Sequence, residues 1–350
     1  SGVFQVRIFL DDFGIFLGRK RNRFVVRKGD EEKEFVADEV EGIVCTCPGV
    51  SFSASALRLA VKSNVQVVFA DYGGWPYAVL MPASLSGSVR ARREQFLAYN
   101  DKRGFLLAKE FVRGKLRNQA NLLKLLAKNR RDRAPALAGR LYEAGKEVDR
   151  VAEEVWGEEA ASVDSGRQRL MALEAAAAKI YWEAVGEVLP AELGFEGRVT
   201  RGATDPFNVM LNFGYQAVLF PEVWKAVCYA GLDPYAGFLH ADRSGKPSMV
   251  LDLMEEFRQQ VVDRTLVSLL STGVLKPNEL ASGEEAKEGR ILSRRATEKL
   301  AEAILERMEA PVMLNGRREP IRGFIHIQAR MVVRFLTGEA AKYHPFIVGW

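Results

Sequence analysis

The stretch Tyr77-Ala78-Val79-Leu80-Met81-Pro82-Ala83-Ser84-Leu85-Ser86-Gly87-Ser88-Val89-Arg90-Ala91-Arg92-Arg93 is where the chain changes period. Before it, short runs of β-branched and aromatic residues are broken at Gly, Asp and Asn, the pattern of strands and turns. Within it, Pro82 to Ser88 is rich in Ser and poor in bulky side chains, the composition of a linker. After it, apolar residues recur at helical spacing, as at Leu122, Leu125 and Leu126 and again at Val148, Val151 and Val155. A chain of 350 residues exceeds what one hydrophobic core usually organises, so two domains are expected. The fold class read from this is α+β: a small N-terminal β-rich domain over 1–83, a linker over 84–90, and a larger all-α-helical domain over 91–350.

Working outward from the break, Val3 to Leu10 is a β-rich run, followed by shorter runs at Phe13–Gly18, Phe24–Val26 and Gly42–Cys45. Ser53 is placed to cap a short helix through Ala54, Leu57, Leu59, Ala60 and Val61 that ends at Ser63-Asn64. Val65 to Ala70 reads as a buried strand, Asp71 to Gly74 as a turn, and Tyr77 to Met81 as a last strand. On the far side the helical pattern continues to about residue 337, with Lys276–Gly289 read as a loop. No repeat and no low-complexity tract occurs.

Composition narrows the function classes. Hydrophobic residues at 48% and charged residues at 27% are ordinary for a folded protein, and no apolar run is long enough to span a bilayer. The opening Ser1 to Arg7 runs into strand-like sequence without signal-peptide anatomy, so a cytoplasmic location and no membrane partner are expected. The three cysteines, Cys45, Cys47 and Cys228, lack a second Cys/His pair to complete a zinc site and read as small buried hydrophobes. The net charge of +5 and a pI near 9.0 permit a polyanionic partner. Arginines cluster at Arg19–Arg23, Arg90–Arg93, Lys128–Arg133 and Arg294-Arg295, either as solvated helix ends and turns or as phosphate contacts. The candidates for DNA contact are Arg90, Arg92, Arg93, Arg130, Arg131, Arg133, Arg243, Lys246 and Arg258.

No Gly-x-Ser-x-Gly elbow, Walker loop or dinucleotide fingerprint is present, and Ala241 separates His240 from Asp242, which disfavours a His-Asp phosphohydrolase. Histidine is scarce, with only His240, His326 and His344. His326, in Ile325-His326-Ile327, and His344, before Pro345, read as structural. His240 precedes a loop, and Pro247-Ser248 then opens a helix through Arg258 whose apolar residues cover more than half its circumference. Asp252 and Glu255, three apart, share the remaining face. They form either a solvated stripe or a pair of acids that a cation must neutralise, with His240 just upstream able to supply a nitrogen ligand. Mg²⁺ and Mn²⁺ favour carboxylate oxygen, and Mn²⁺ also tolerates imidazole. Glu174, followed by four alanines, is either a surface position on a strong helix or a third, functional acid that close-packed neighbours surround. Tyr181-Trp182 read first as core.

These residues come in a familiar order: Glu174-Ala175-Ala176-Ala177 leading to Tyr181-Trp182; Asp205-Pro206-Phe207-Asn208 with Leu211-Asn212-Phe213-Gly214-Tyr215; Gly237-Phe238-Leu239-His240; and Leu251-Asp252-Leu253-Met254-Glu255-Glu256-Phe257-Arg258. Over nearly the whole chain the sequence resembles the CRISPR spacer-acquisition integrases, the CRISPR-associated endonucleases numbered one in their series. The resemblance implies a β-rich N-terminal domain, a helical catalytic domain and a homodimer. It implies a metal site formed by Glu174, His240 and Glu255, with Asp252 as an additional catalytic acid and Mg²⁺ or Mn²⁺ as the cofactor. It further implies double-stranded or branched DNA as substrate, inserted into a CRISPR repeat array with the family's protein numbered two as partner. A non-catalytic architectural DNA binder, which has no use for the acid-His set, and a metal phosphodiesterase acting on small substrates are the competing expectations.

Overall fold

A computed structural model describes residues 6–71, 76–80, 89–280 and 292–350. The chain divides into two compact units, Ser1–Leu85 and Ser86–Trp350. The expected beginning of the first strand at Val3, the Tyr72–Gly74 part of the turn, Met81, the Ser-rich stretch 82–88 and most of the expected loop after Lys276 lie outside the described residues.

The N-terminal unit holds two four-stranded sheets. In the first, β1 (Val6–Leu10), β5 (Val40–Cys45) and β7 (Gln66–Ala70) run parallel and β8 (Pro76–Leu80) pairs antiparallel to β7. In the second, β2 (Phe16–Lys20), β3 (Arg23–Lys28) and β4 (Glu31–Val36) form an antiparallel meander, and the short β6 (Ser51–Phe52) pairs parallel to β2. Ile8, Leu10, Leu17, Phe24, Ile43 and Val67 meet in one core with Leu59 and Ala60 of α1 (Ala54–Lys62). Ser53 caps α1 by accepting from the Ala56 amide, as its sequence position required. β4 escaped the reading by pattern because Glu31-Glu32-Lys33-Glu34 leaves four successive exposed polar residues on an edge strand.

Three long helices organise the second unit: α3 (Lys102–Lys128), α4 (Pro135–Gly157) and α5 (Val163–Gly186), each packed on the other two. In α5 the buried residues Leu170, Leu173, Ala177, Tyr181 and Ala184 recur three or four apart, which gives one buried stripe. Around this trio lie α2 (Val89–Ala98), α6 (Pro206–Phe213), α7 (Phe220–Tyr229), α8 (Ser248–Met254) and α9 (Arg264–Ser271). Arg90, expected in the linker, already belongs to the first turn of α2. A short antiparallel hairpin, Pro311–Leu314 with Arg317–Pro320, interrupts the otherwise helical unit. The helix expected through Arg258 ends sooner: α8 stops at Met254, a turn covers 255–257, and a π-wound segment, Gln259–Asp263, leads into α9. A second π-wound segment, Gly214–Leu219, joins α6 to α7. Such widened turns recur at functional sites. Among the described residues, no helix is long and apolar enough to cross a membrane.

Candidate metal centre

Side chains from four elements converge beside α3. Lys115 projects from the middle of that helix and ion-pairs with Glu174 of α5 and, at 2.8 Å, with Glu255 Oε2 in the turn after α8. On the other side of Glu255, Oε1 lies 3.2 Å from Arg258 Nε and 4.0 Å from His240 Nε2. Of the residues expected to act together, Glu174 and Glu255 are joined through Lys115, and His240 lies on the other side of Glu255. Glu255 and Asp252 are buried, which removes the solvated-stripe reading. Glu174 and His240 keep about a quarter of their side chains open, 22% and 25%, so both remain partly accessible to solvent.

The alanines after Glu174 act less uniformly than their composition implied. Ala177 is buried, whereas Ala175 and Ala176 face outward. Glu174 itself sits at the edge of the buried stripe of α5, one position past Leu173, and that register turns its carboxylate toward Lys115.

The loop before α8 is fastened by Asp252. Its Oδ2 accepts the amides of Phe238 at 2.6 Å and Leu239 at 2.9 Å, and its Oδ1 accepts the His240 amide at 3.0 Å. Oδ1 also lies 2.7 Å from His240 Nδ1. With Nδ1–H donating to the carboxylate, the lone pair on Nε2 points to the Glu255 side, the orientation a metal-binding imidazole needs. Both oxygens of Asp252 are thus occupied by donors, which fix the His240 ring and the loop that carries it. Gly237 makes this approach possible, because a Cβ there would lie 2.6 Å from the Ser248 carbonyl carbon.

Glu255 is held from behind. Asn118, one turn beyond Lys115, donates to the Glu256 carbonyl at 2.9 Å and to the Phe346 carbonyl at 2.7 Å. The buried Glu256 carboxyl accepts from Tyr343 at 2.6 Å and from the Phe346 amide at 2.8 Å. Burial pushes that carboxyl up to about 7 against those hydrogen bonds. Burial also acts to raise Glu255, but the charges of Arg258 and Lys115 prevail and hold it at about 2. For Lys115, burial works against the ammonium while Glu174 and Glu255 outweigh it, and the net direction is upward. Lys115 and Glu255 agree: both are charged.

Beneath the cluster lies a polar network that sequence reasoning did not find. The Arg258 guanidinium stands 4.6 Å from the Tyr215 ring centroid, and Arg198 covers the same ring at 5.5 Å. Tyr215 and Tyr181, the latter at 2.7 Å, both donate to the buried Asp263. Asn208 and Asn212 hold Arg198 through their side-chain oxygens at 3.0 and 2.7 Å. The motif at Asp205–Asn212 thus contacts Arg198, which in turn covers Tyr215. Lys115 was missed because a lysine in a long amphipathic helix looks like any solvated lysine.

The expected DNA-contacting residues divide. Arg93, Arg131, Arg133 and Arg243 are exposed. Arg90 is exposed too and donates to the Thr337 carbonyl at 2.9 Å. Arg92 and Lys246 are half-buried. Arg130 donates to the Leu126 carbonyl and to Ser271 Oγ. Arg258 is turned inward onto Glu255 and Tyr215 rather than outward. Arg243 and Lys246 lie in the His240 loop, while Arg130–Arg133 follow α3 by roughly 20 Å of helix beyond Lys115. The three cysteines are buried and form no disulfide. Partial burial and nearby cations push the half-buried His326 down to about 4, which keeps it neutral. Trp182 stacks edge-on with Tyr181, Phe195 and Phe207, a packing role.

Among the described residues, no three His, Cys, Asp or Glu side chains close into a ready-made metal cage. The donors nevertheless fit a divalent ion by chemistry: two carboxylates meet at one cation, and an oriented imidazole nitrogen faces the second of them.

Residues 8–306 match the family described as CRISPR associated protein Cas1. The CRISPR-associated endonuclease Cas1 1 of Archaeoglobus fulgidus is 40% identical over 351 residues, covering 99% of this chain and all of the relative. The fold is similar to a casposase bound to integration product, with a TM-score of 0.80 at 23% identity over 97% of this chain and 92% of the other. It is also similar to part of a Cas6-RT-Cas1–Cas2 complex, with a TM-score of 0.76 at 16% identity over 99% of this chain and 36% of that one. On its sequence over the whole length, and with the helical site that its motifs build, the chain belongs to the Cas1 family of CRISPR-associated proteins.

Proposed function

We propose that the chain is a divalent-metal-dependent DNA endonuclease and integrase that inserts captured foreign fragments into a CRISPR repeat array. The observation that supports this reading is that Glu174 and Glu255 share the Lys115 ammonium while His240 Nε2 lies 4.0 Å from the other Glu255 oxygen. A bound Mg²⁺ or Mn²⁺ would polarise the phosphoryl oxygen and stabilise charge on the attacking and departing oxygens. Glu174, Glu255 and His240 Nε2 would hold that ion. Asp252 sets the imidazole orientation, and Arg258 balances the charge of Glu255 from inside. In the transfer, a 3′-hydroxyl oxygen forms a bond to phosphorus while the bond to another 3′-oxygen breaks, so one phosphodiester replaces another.

The exposed Arg93 and Arg243 and the half-buried Lys246 take phosphates of duplex or branched DNA, contacts that position the strand without reading bases. The protein acts as a homodimer together with Cas2; similarity to part of a Cas6-RT-Cas1–Cas2 complex supports the pairing with Cas2. A plasmid integration assay with and without Cas2 tests the proposal. Glu174→Ala, His240→Ala and Glu255→Ala are each expected to abolish Mg²⁺- or Mn²⁺-dependent strand transfer and to leave DNA binding largely intact. Activity undiminished by EDTA, or full activity in His240→Ala, would overturn it.

A further inference from the structure

We propose that Lys115 is the resident counter-ion of the metal-free site, its ammonium holding the cation position between Glu174 and Glu255 until a divalent ion displaces it, so that this lysine sets the metal affinity. The inference rests on the metal-dependent reading above and adds a residue that reading does not use.

Three observations carry it. Lys115 is the shared partner of Glu174 on α5 and Glu255 in the turn after α8, and its side chain is only 14% exposed. The two oxygens of Glu255 face different groups: Oε2 meets Lys115, whereas Oε1 meets Arg258 and, farther off, His240. Arg258 is stacked on Tyr215 and stays with Oε1, so the oxygen left for exchange is the one that Lys115 occupies. Asp252 cannot take up the ammonium, because three amides and an imidazole already fill its oxygens.

The residue type suits exchange. A lysine carries a compact charge on a flexible stem, while an arginine fork would grip both carboxylates in a fixed geometry. Without a cation the two carboxylates would repel and separate, and their separation would have to be reversed before an ion could bind. With Lys115 in place, the ligands stay together, but an arriving ion competes with a charge already there. Lys115 is therefore a positioning residue with a measurable signature: its removal weakens the metal-free site yet tightens metal binding. A merely structural lysine would do the first without the second.

The experiment is a Mn²⁺ titration of the full chain, read by electron paramagnetic resonance of free Mn²⁺, on wild type, Lys115→Met, Lys115→Arg and His240→Ala. Thermal melts in EDTA and in Mn²⁺ accompany it. Lys115→Met is expected to bind Mn²⁺ at least about tenfold more tightly than wild type, because a full positive charge a few ångströms from the ion has gone. Its melting temperature in EDTA falls below that of wild type, and its rise on adding Mn²⁺ is larger. Lys115→Arg keeps the charge and does not tighten. A Lys115→Met protein that folds only when Mn²⁺ is present also supports the proposal, and Lys115→Gln carries the same expectations. Unchanged or weaker Mn²⁺ binding in the neutral variants, with wild-type binding that His240→Ala abolishes, overturns the role of Lys115 and leaves the metal site standing. No saturable Mn²⁺ site in wild type or in the neutral variants overturns both.

Discussion

His240 Nδ1 lies 2.7 Å from Asp252 Oδ1, and the same carboxylate gathers the backbone amides of residues 238, 239 and 240. One buried acid thus fixes both a loop and the ring that the loop carries. The orientation of Nε2 toward Glu255 follows from that arrangement, not from any contact on the open face of the ring.

Asp252→Asn puts an amide NH₂ among four donors, where at least one N–H must then face another. DNA cleavage and strand transfer are expected to fall by about 10- to 100-fold, the usual cost of losing the partner that orients a metal-binding histidine. Steady-state cleavage of a branched DNA substrate in Mn²⁺ measures this. Wild-type rates in a folded Asp252→Asn protein would mean that the loop is held by something else.

Gly237→Ala tests the same loop through packing. A Cβ at Gly237 would lie 2.6 Å from both the carbonyl carbon and the Cβ of Ser248, at the start of α8, and backbone there cannot yield cheaply. The substitution should cost about 1–3 kcal/mol of stability, and activity should fall further than the melting temperature alone explains. An alanine variant with unaltered stability and activity would contradict the close approach.

The buried Asp263 predicts a pH dependence. Burial raises its carboxyl from 3.8 to about 6, opposed by the Tyr215 and Tyr181 hydroxyls and by Arg258 and Arg198. A folded-state value above the unfolded one means that folding takes up a proton between them, so this contribution to stability declines as pH rises from about 4 through 6. Roughly two pH units at about 1.4 kcal/mol each give a decline of up to about 3 kcal/mol. Asp263→Asn, which cannot ionise, should show a flatter stability profile over that window in urea melts. Parallel profiles for the two proteins would show that Asp263 does not titrate there.

Arg243 is exposed in the His240 loop, and Arg93 is exposed on α2. If they meet phosphates, Arg243→Ala and Arg93→Ala weaken DNA binding uniformly across sequences. Each should also reduce the slope of log Kd against log salt by about 1. Fluorescence anisotropy over a salt series reads both. Unaltered slopes would place the DNA on another face.

How much of this was legible in the sequence varies with the physics of each element. The β-rich first unit, the cap at Ser53 and the long helices follow from local pattern, and the structure bears them out, with β4 lost because its residues are polar and edge-exposed. Asp252, Glu255 and His240 could be singled out because acids on a mostly apolar helix and a rare histidine are locally conspicuous. Glu174 was ambiguous by composition, and the family resemblance singled it out. Lys115, Arg198 and Asp263 left no local signal, since each acquires its role from partners on other elements that only the packed helices bring near. The early end of α8 was also hidden: the apolar pattern continues through Phe257 while the backbone turns at 255–257 and then widens into a π segment.

The most direct measurement of the central claim is Mn²⁺ binding itself, followed by electron paramagnetic resonance on wild type and on Glu174→Ala, His240→Ala and Glu255→Ala. The account predicts saturable binding in the wild-type protein that each substitution removes while the melting temperature in EDTA shows the chain still folded. Equal Mn²⁺ binding in folded wild type and in all three variants would contradict it.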